Sequence, residues 1–299
     1  MTALTTAETW FHRLGLGSSA AADAPVGAIP AAHQVQQGFW VTGEERWVAG
    51  RTTRLFTFAH GCRDRDRTVL CIPPLATTGR IFAPLAPLSR DHRLLLWTPP
   101  ASRRGRSACQ EDVSLLSEPD FPLPERFALV AASHGCRTAL ALAARCPARI
   151  RALVLIAPLL SPRQVRRFGP LAAGLVGLPR PSARLLAPLG FEAIRGRRLP
   201  LPATLELLRQ ARRFQVTDVL RRLRQGAQEA LPDWSRLRGL PTLALFGGLD
   251  PFADLRALAP LARDLGWATE RIDDASHLPF LSHPVCVNAR LQTFLAERH

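Results

Sequence analysis

The stretch Ala131-Ala132-Ser133-His134-Gly135 sets a serine between two small residues, Ala131 two positions before it and Gly135 two after. The run Phe127 to Ala132 ahead of it is continuously apolar and reads as a strand buried on both faces. The Ala-rich segment Arg137 to Cys146 behind it favours helix and is stopped by Pro147. A serine on so sharp a strand-to-helix turn is held in a strained conformation that lifts its hydroxyl above the sheet edge. Only small residues fit two places to either side. The same turn aims the next backbone N–H, that of His134, at whatever the serine attacks. The pattern is G-x-S-x-G with Ala in place of the first Gly. An ordinary strand-turn-helix is the plain alternative, because Ala-x-Ser-x-Gly arises readily in Ala-rich chains.

Two later stretches decide between these readings. Phe246-Gly247-Gly248-Leu249-Asp250-Pro251 directly follows a strand-like run, Pro241 to Phe246. Asp273-Asp274-Ala275-Ser276-His277-Leu278 follows another, Ala268 to Ile272. In a parallel sheet, residues just past the strands' C-terminal ends share one edge, where ligands bind. Ser133, Asp250 and His277 would meet there. A serine hydroxyl is a weak nucleophile at neutral pH, an imidazole can take its proton, and a buried carboxylate fixes the imidazole tautomer and stabilises its charge. Asp254 competes with Asp250 but reads as a solvated residue at the start of a helix. Asp273 and Asp274 read as loop-exposed, and His283 as the start of the last helix. The His134 side chain is expected to line the mouth of the site.

The elements that position these residues alternate strand with helix. Phe39 to Thr42, Arg46 to Ala49 and Thr53 to Ala59 look like antiparallel strands, with a turn at Gly43-Glu44-Glu45. Thr68 to Ile72, His92 to Trp97 and Ile150 to Ala157 are further buried strands. A helix over Phe82 to Leu88 is short and irregular because of Pro84 and Pro87. Gln110 to Leu116 offers another short helix, and Leu255 to Leu265 and Cys286 to Ala296 are the last two. Such alternation implies a mostly parallel sheet with helices on both faces. Ser161 to Arg236 has no strand-like run and carries helical patches at Leu205 to Arg213 and Val219 to Leu231. It reads as a helical insertion. Residues 1–37 read as a loosely ordered extension, with a short amphipathic helix over Leu4 to Leu16, ahead of one domain over 38–299.

Composition bounds the function. The 299 residues suffice for one α/β domain with an insertion, and 47% hydrophobic content is ordinary for a globular chain. No apolar run approaches the roughly 18 residues of a membrane span. Met1 to Trp10 lacks the basic start and apolar run of a signal peptide, so a cytoplasmic location is expected. The six cysteines, Cys62, Cys71, Cys109, Cys136, Cys146 and Cys286, are scattered without a C-x-x-C pair or a metal-binding spacing, and read as reduced thiols. The formal net charge is +15, all of the basic side chains being arginine. An acidic partner such as nucleic acid, anionic lipid, a phosphate-bearing cofactor or a carrier protein is one reading of that charge. The arginines are dispersed and no nucleic-acid motif accompanies them, which favours a solvated basic surface and excludes nucleic acid as the expected partner.

Over residues 38 to 299 the chain resembles the α/β-hydrolase superfamily, through Ala131-x-Ser133-x-Gly135, Gly247-x-x-Asp250-Pro251 and Ser276-His277. The resemblance implies an eight-stranded sheet, a cap formed by 161–236 and an oxyanion hole. One hole donor would be the His134 N–H and the other an N–H after the first core strand. Where the family usually carries His-Gly this chain has Pro73-Pro74, followed by Leu75-Ala76-Thr77-Thr78. If the prolines stand in for His-Gly, Leu75 donates. With a slip of one residue, Pro74 occupies the donor position and has no N–H to give. Leu75 to Thr78 and Ala132 to Gly135 are also similar to 3-(3-hydroxyalkanoyloxy)alkanoate synthases and 3-hydroxyacyl carrier-protein transacylases. Ile72 to Leu75 and Trp97 to Pro100 are similar to polyhydroxyalkanoate synthases, whose nucleophile is Cys where this chain has Ser133.

These readings predict a serine hydrolase that cleaves a carboxylic ester or thioester with Ser133, Asp250 and His277, needing neither metal nor organic cofactor. If the acyl group comes on coenzyme A or an acyl carrier protein, Arg103, Arg104 and Arg106 would draw in the carrier; one alternative reaction is acyl transfer from such a carrier to a hydroxyl acceptor. The other is a non-catalytic binding module on the same fold.

Overall fold

The apolar runs pair into a single sheet. The computed structural model describes residues 44–48, 51–58, 61–102, 107–166, 210, 214–229 and 231–298. Its strands are β1 (Glu44–Val48), β2 (Arg51–Phe56), β3 (Thr68–Ile72), β4 (Arg93–Thr98), β5 (Phe127–Ala132), β6 (Ile150–Ile156), β7 (Thr242–Gly247) and β8 (Ala268–Ile272). They form an eight-stranded sheet in the order β1-β2-β4-β3-β5-β6-β7-β8. The β1–β2 and β2–β4 pairs are antiparallel, and every pair from β4 to β8 is parallel. The C-terminal ends of β3 to β8 therefore share one edge, with β5 near its middle.

Strand β5 shows why this sequence is a central strand. Ala128, Val130 and Ala132 enter the core on one face, and Phe127, Leu129 and Ala131 enter the core on the other. Both faces are covered, so no polar residue is admitted along it. On the first face lie the 3-10 helix Gly79–Arg90 and the last two helices, α5 (Pro279–Ser282) and α6 (Pro284–Ala296). Pro84 and Pro87 lie inside the 3-10 helix, and their missing N–H groups and rings deny it a regular α ladder. On the second face lie α1 (Ala108–Leu116), α2 (Gly135–Arg145) and α4 (Leu255–Leu265). Ser107 caps α1 by accepting the Gln110 N–H at 3.1 Å.

Three differences from the sequence reading are local. Glu44 and Glu45 are not a turn: they pair in register with Leu55 and Arg54 in a hairpin on the sheet edge, where an outer strand tolerates charge. Helix α1 begins at Ala108, two residues early, because Ser107 supplies the cap. Between β6 and β7, the helical patch expected over Val219 to Leu231 is shifted to α3 (Val216–Gln228), which packs against α1 and sends Val219 and Leu223 into the first core. The expectations for residues 1–37, for Phe39 to Thr42, for most of Leu205 to Arg213 and for Arg103, Arg104 and Arg106 lie outside the described residues. All six cysteines are free thiols, and burial pushes Cys71 and Cys136 up and Cys109 up to about 12, as packing residues. Among the described residues no helix is long and apolar enough to cross a membrane.

Candidate active site

Ser133 follows β5 with φ of 54°, in the left-handed region that a side-chain-bearing residue enters only under constraint. The constraint is visible. Its N–H donates to the Ile156 carbonyl at 2.8 Å, and its own carbonyl accepts the N–H groups of Cys136 at 3.2 Å and Leu159 at 3.3 Å. Gly135 is obligatory here, because a Cβ would overlap the Pro73 carbonyl oxygen and approach the Ile72 carbonyl at 2.8 Å. Ala131 is wholly buried.

The loops after β7 and β8 are laced to each other. A Cβ on Gly247 would run into the Ser276 carbonyl, and one on Gly248 into that of Asp273. This close approach lets the Gly248 N–H reach the Ile272 carbonyl at 2.7 Å and the Leu249 N–H reach that of Ala275 at 3.0 Å. Asp250 Oδ1 accepts the Phe252 N–H at 2.8 Å, which leaves Oδ2 facing His277 Nδ1 at 2.9 Å. His277 Nε2 lies 2.9 Å from Ser133 Oγ. A carboxylate only accepts, so Nδ1 carries the ring hydrogen and Nε2 accepts the serine hydroxyl. Ser133 and His277 are 1% and 2% exposed and the Asp250 side chain 1%, so solvent barely competes for these bonds. The Phe252 ring stands edge-on to the imidazole, centroids 5.2 Å apart, and closes its flank.

Asp250 is the acid that meets the imidazole. The carbonyl of Asp254 receives the Leu258 N–H at 3.0 Å at the head of α4. Asp273 is exposed and paired with Arg271 at 2.8 Å, and Asp274 is exposed. His283 immediately precedes α6.

The other side of the serine is formed by His134 and the loop Pro73 to Thr78. Among the described residues, the N–H groups of Leu75 and His134 donate to no acceptor. Ala76 has φ of 56°, and the Thr77 hydroxyl donates back to the Pro74 carbonyl at 2.8 Å, so the loop is a tight turn. Gln210 Oε1 accepts both the Thr78 N–H at 3.0 Å and the Thr78 hydroxyl at 3.1 Å. His134 is among the residues that line a cleft on this side of the serine. It is roofed by α3, its Nε2 donating to the Arg222 carbonyl at 3.3 Å. Burial, with the charges of Arg137 and Arg222, pushes its pKa down to about 3 and keeps it neutral. The cleft is also lined by Leu75, Ala76, Trp97, Pro99, Phe214 and Val219.

Several residues around the site were not singled out in the sequence. Arg222 and Asp218 of α3, Asp112 of α1 and Ser102 form one buried cluster. Gln164 is buried and ties the stretch after β6 to the Phe252 carbonyl at 2.9 Å. Arg137 is also buried, bonded to the Leu160 and Glu229 carbonyls at 2.7 and 2.8 Å, so the arginines are not all surface charge. The Asp218–Arg222 spacing of four on a helix was the one signal available.

A serine hydroxyl, imidazole and carboxylate bonded in series at the C-terminal edge of a mostly parallel sheet define an α/β fold with a nucleophile-elbow turn. The chain belongs to the alpha/beta hydrolase family, whose model matches residues 38–289. Solved structures share the fold. A bacterial membrane phospholipase A aligns with a TM-score of 0.69 at 18% identity, over 89% of each chain. The carboxylesterase CesB of Bacillus subtilis aligns at 0.67 and 15% identity, over 98% of this chain and 99% of its own. The naproxen esterase of Bacillus subtilis aligns at 0.63 and 15% identity, over 91% and 99%. The sequence has no match among the curated proteins.

Proposed function

We propose that the protein hydrolyses a carboxylic ester or thioester through an acyl-enzyme on Ser133. The observation that carries this reading is the unbroken chain from Ser133 Oγ through His277 to Asp250, each link 2.9 Å. In this mechanism His277 Nε2 takes the hydroxyl proton as Ser133 Oγ bonds to the acyl carbon. The carbonyl oxygen becomes negative and is met by the N–H groups of His134 and Leu75. Collapse breaks the bond to the alcohol or thiol, which leaves with the proton from His277. Water then repeats the sequence on the acyl-enzyme and frees the acid. Asp250 holds the imidazole in the accepting tautomer and offsets its charge when protonated. Packing of the Pro73 carbonyl against Gly135 brings the Leu75 loop to the serine turn and supports Leu75, rather than Pro74, as second donor. Each such donor contributes about 10²–10³ in turnover. Esterases and a phospholipase with this fold support the ester assignment. The segment 161–236 acts as the cap.

Acyl transfer to a hydroxyl acceptor is the second reading. Near-complete burial of Ser133, which limits access of water, is the observation in its favour. Coenzyme A or a carrier protein would then be the acyl donor. The test labels the enzyme and Ser133→Ala with a fluorophosphonate, then assays both on oxygen esters and thioesters of graded chain length, with and without hydroxylic acceptors. Labelling and turnover are expected in the enzyme alone, turnover falling by several orders of magnitude in the variant. Near-normal turnover by Ser133→Ala would overturn the reading. Acylated acceptor in place of free acid would select transfer.

A further inference from the structure

Arg222 is a full positive charge buried on α3, 8% exposed, and it takes no part in the proton transfers at Ser133. Its guanidinium grips Asp112 of α1 through Nη1 at 2.6 Å and Nη2 at 3.4 Å. Its Nε donates to Asp218 at 3.2 Å, and Nη2 also donates to the Pro100 carbonyl at 2.9 Å, in the loop after β4. The Ser102 N–H donates to Asp218 at 2.9 Å, and the Ser102 hydroxyl donates to the same oxygen. Arg221 lies 3.5 Å from Asp218 and donates to the Ser102 carbonyl, so two arginines face two carboxyl groups, and burial pushes Asp112 up against the opposing pull of Arg222. Burial alone would draw the Arg222 proton off, but Asp112 and Asp218 outweigh it and hold the pKa above the ordinary arginine value.

Such a cluster is poorly explained by stability. Buried ion pairs cost desolvation, and apolar residues of similar volume often serve as well. Val219 and Leu223 already give α3 an apolar anchor in the core. A forked guanidinium bonded on three sides adds direction: it fixes the rotation and height of α3 relative to α1 and the β4 end. The backbone at that point has a use. The Arg222 carbonyl is the acceptor for the His134 ring, and His134 is the residue whose N–H faces the developing oxyanion in the proposed reaction.

We infer that Arg222 is a positioning residue: it locks α3 so that its own carbonyl holds the His134 ring, and through it the His134 N–H, at the oxyanion position. The inference rests on the reaction proposed at Ser133. Its consequence is that damage to the cluster lowers transition-state stabilisation and leaves ground-state binding alone.

Three variants test it. Arg222→Lys keeps a charge but loses the fork. The triple variant Arg222→Met, Asp112→Leu, Asp218→Leu replaces the cluster with apolar side chains and leaves no charge unpaired. His134→Phe keeps the backbone N–H and every residue of the cluster and removes only the bond from ring to carbonyl. Each is measured for melting temperature, fluorophosphonate-titrated sites, kcat and KM per titrated site, and affinity for a trifluoromethyl ketone, whose adduct oxygen occupies the oxyanion position. The expected result is full titration, kcat lower by about 10–10³ with KM within about twofold, and ketone affinity lower by the same factor as kcat. Wild-type kcat per titrated site in His134→Phe, or in either Arg222 variant that folds, would overturn the inference. Should both Arg222 variants fail to fold, His134→Phe decides alone. Failure of the reaction itself would show separately, as turnover surviving in Ser133→Ala.

Discussion

The two halves of the candidate site are built by different means. Ser133, Asp250 and His277 stand on short turns directly after β5, β7 and β8, and backbone bonds between neighbouring strand ends hold those turns. The facing side, His134 and the loop Pro73 to Thr78, is tied in addition by groups from between β6 and β7. Gln210 grips Thr78 across 132 positions of chain, and Arg222 grips Asp112 across 110. The core half is therefore as rigid as the sheet. The other side depends in addition on a few long-range polar contacts. Ser133, Asp250 and His277 thus rest on the sheet itself, while the facing side of the candidate site leans in addition on the stretch between β6 and β7.

The sharpest way to break this comparison is Asp250→Asn. In the core half nothing compensates for a wrong partner at His277 Nδ1, and turnover should fall by about 10⁴ with the fold unchanged, by analogy with the serine-protease acid. Asp254→Asn, at the head of α4, should stay within about twofold of wild type. Equal losses in steady-state assays would mean that His277 is not oriented by Asp250.

A smaller effect is expected at the seam between the halves. Gly135→Ala pushes a methyl group into the carbonyls of Ile72 and Pro73. The serine turn is pinned, so the Pro73 loop must give way and take Leu75 with it. About 1–3 kcal/mol of stability should be lost to overpacking, measured by denaturant unfolding. Turnover per titrated site should fall by about 10–10² as one oxyanion donor is misplaced. A variant with lowered stability and unchanged turnover would detach Leu75 from the chemistry.

The mildest test reads the facing side through pH. The His134 pKa is pushed from an ordinary 6.5 down to about 3 in the folded protein. Between those values the unfolded chain binds a proton that the native state refuses. Stability is therefore fully present above about 6.5 and falls as pH drops toward 3, by at most about 1.4 kcal/mol per pH unit. His134→Phe should remove that part of the slope in unfolding experiments between pH 4 and 7. An identical slope in variant and wild type would mean that the ring is reached by solvent and α3 does not seal it.

This contrast also explains what could be read from the chain before folding. Strand ends announce themselves where the strand is buried: β5 and β7 are apolar runs closed by small residues, and although β8 carries Glu270 and Arg271, its place last in the alternation let Ser133, Asp250 and His277 be assigned to one edge by order. The pattern also showed that Gly135 had to be small, since the turn permits nothing larger. Asp112, Gln164 and Gln210 could not be found this way. Each sits in an unremarkable polar context, and its partner is set by tertiary packing. Arg222 was hidden by its own composition, as one of many arginines in a chain whose cations read as solvated charge. The irregular helix over Pro84 and Pro87 was legible because proline acts locally, and so was the antiparallel β1–β2 pair, but not its start at Glu44 and Glu45, because edge strands tolerate the charges that usually mark a turn.

The left-handed backbone at Ser133 has an evolutionary cost as well as a chemical use. A Cβ at φ of 54° is a standing penalty on the order of 1–2 kcal/mol, borne by every folded molecule whether or not it meets a substrate. Glycine would lift it. Ser133→Gly and Ser133→Ala both lack the hydroxyl, yet the glycine variant should match or exceed the alanine variant in melting temperature, by a few degrees at most once the extra freedom of its unfolded chain is counted. On the proposed reaction, the wild-type residue is then a concession of robustness to reactivity, and selection for heat resistance alone would be expected to erase the hydroxyl.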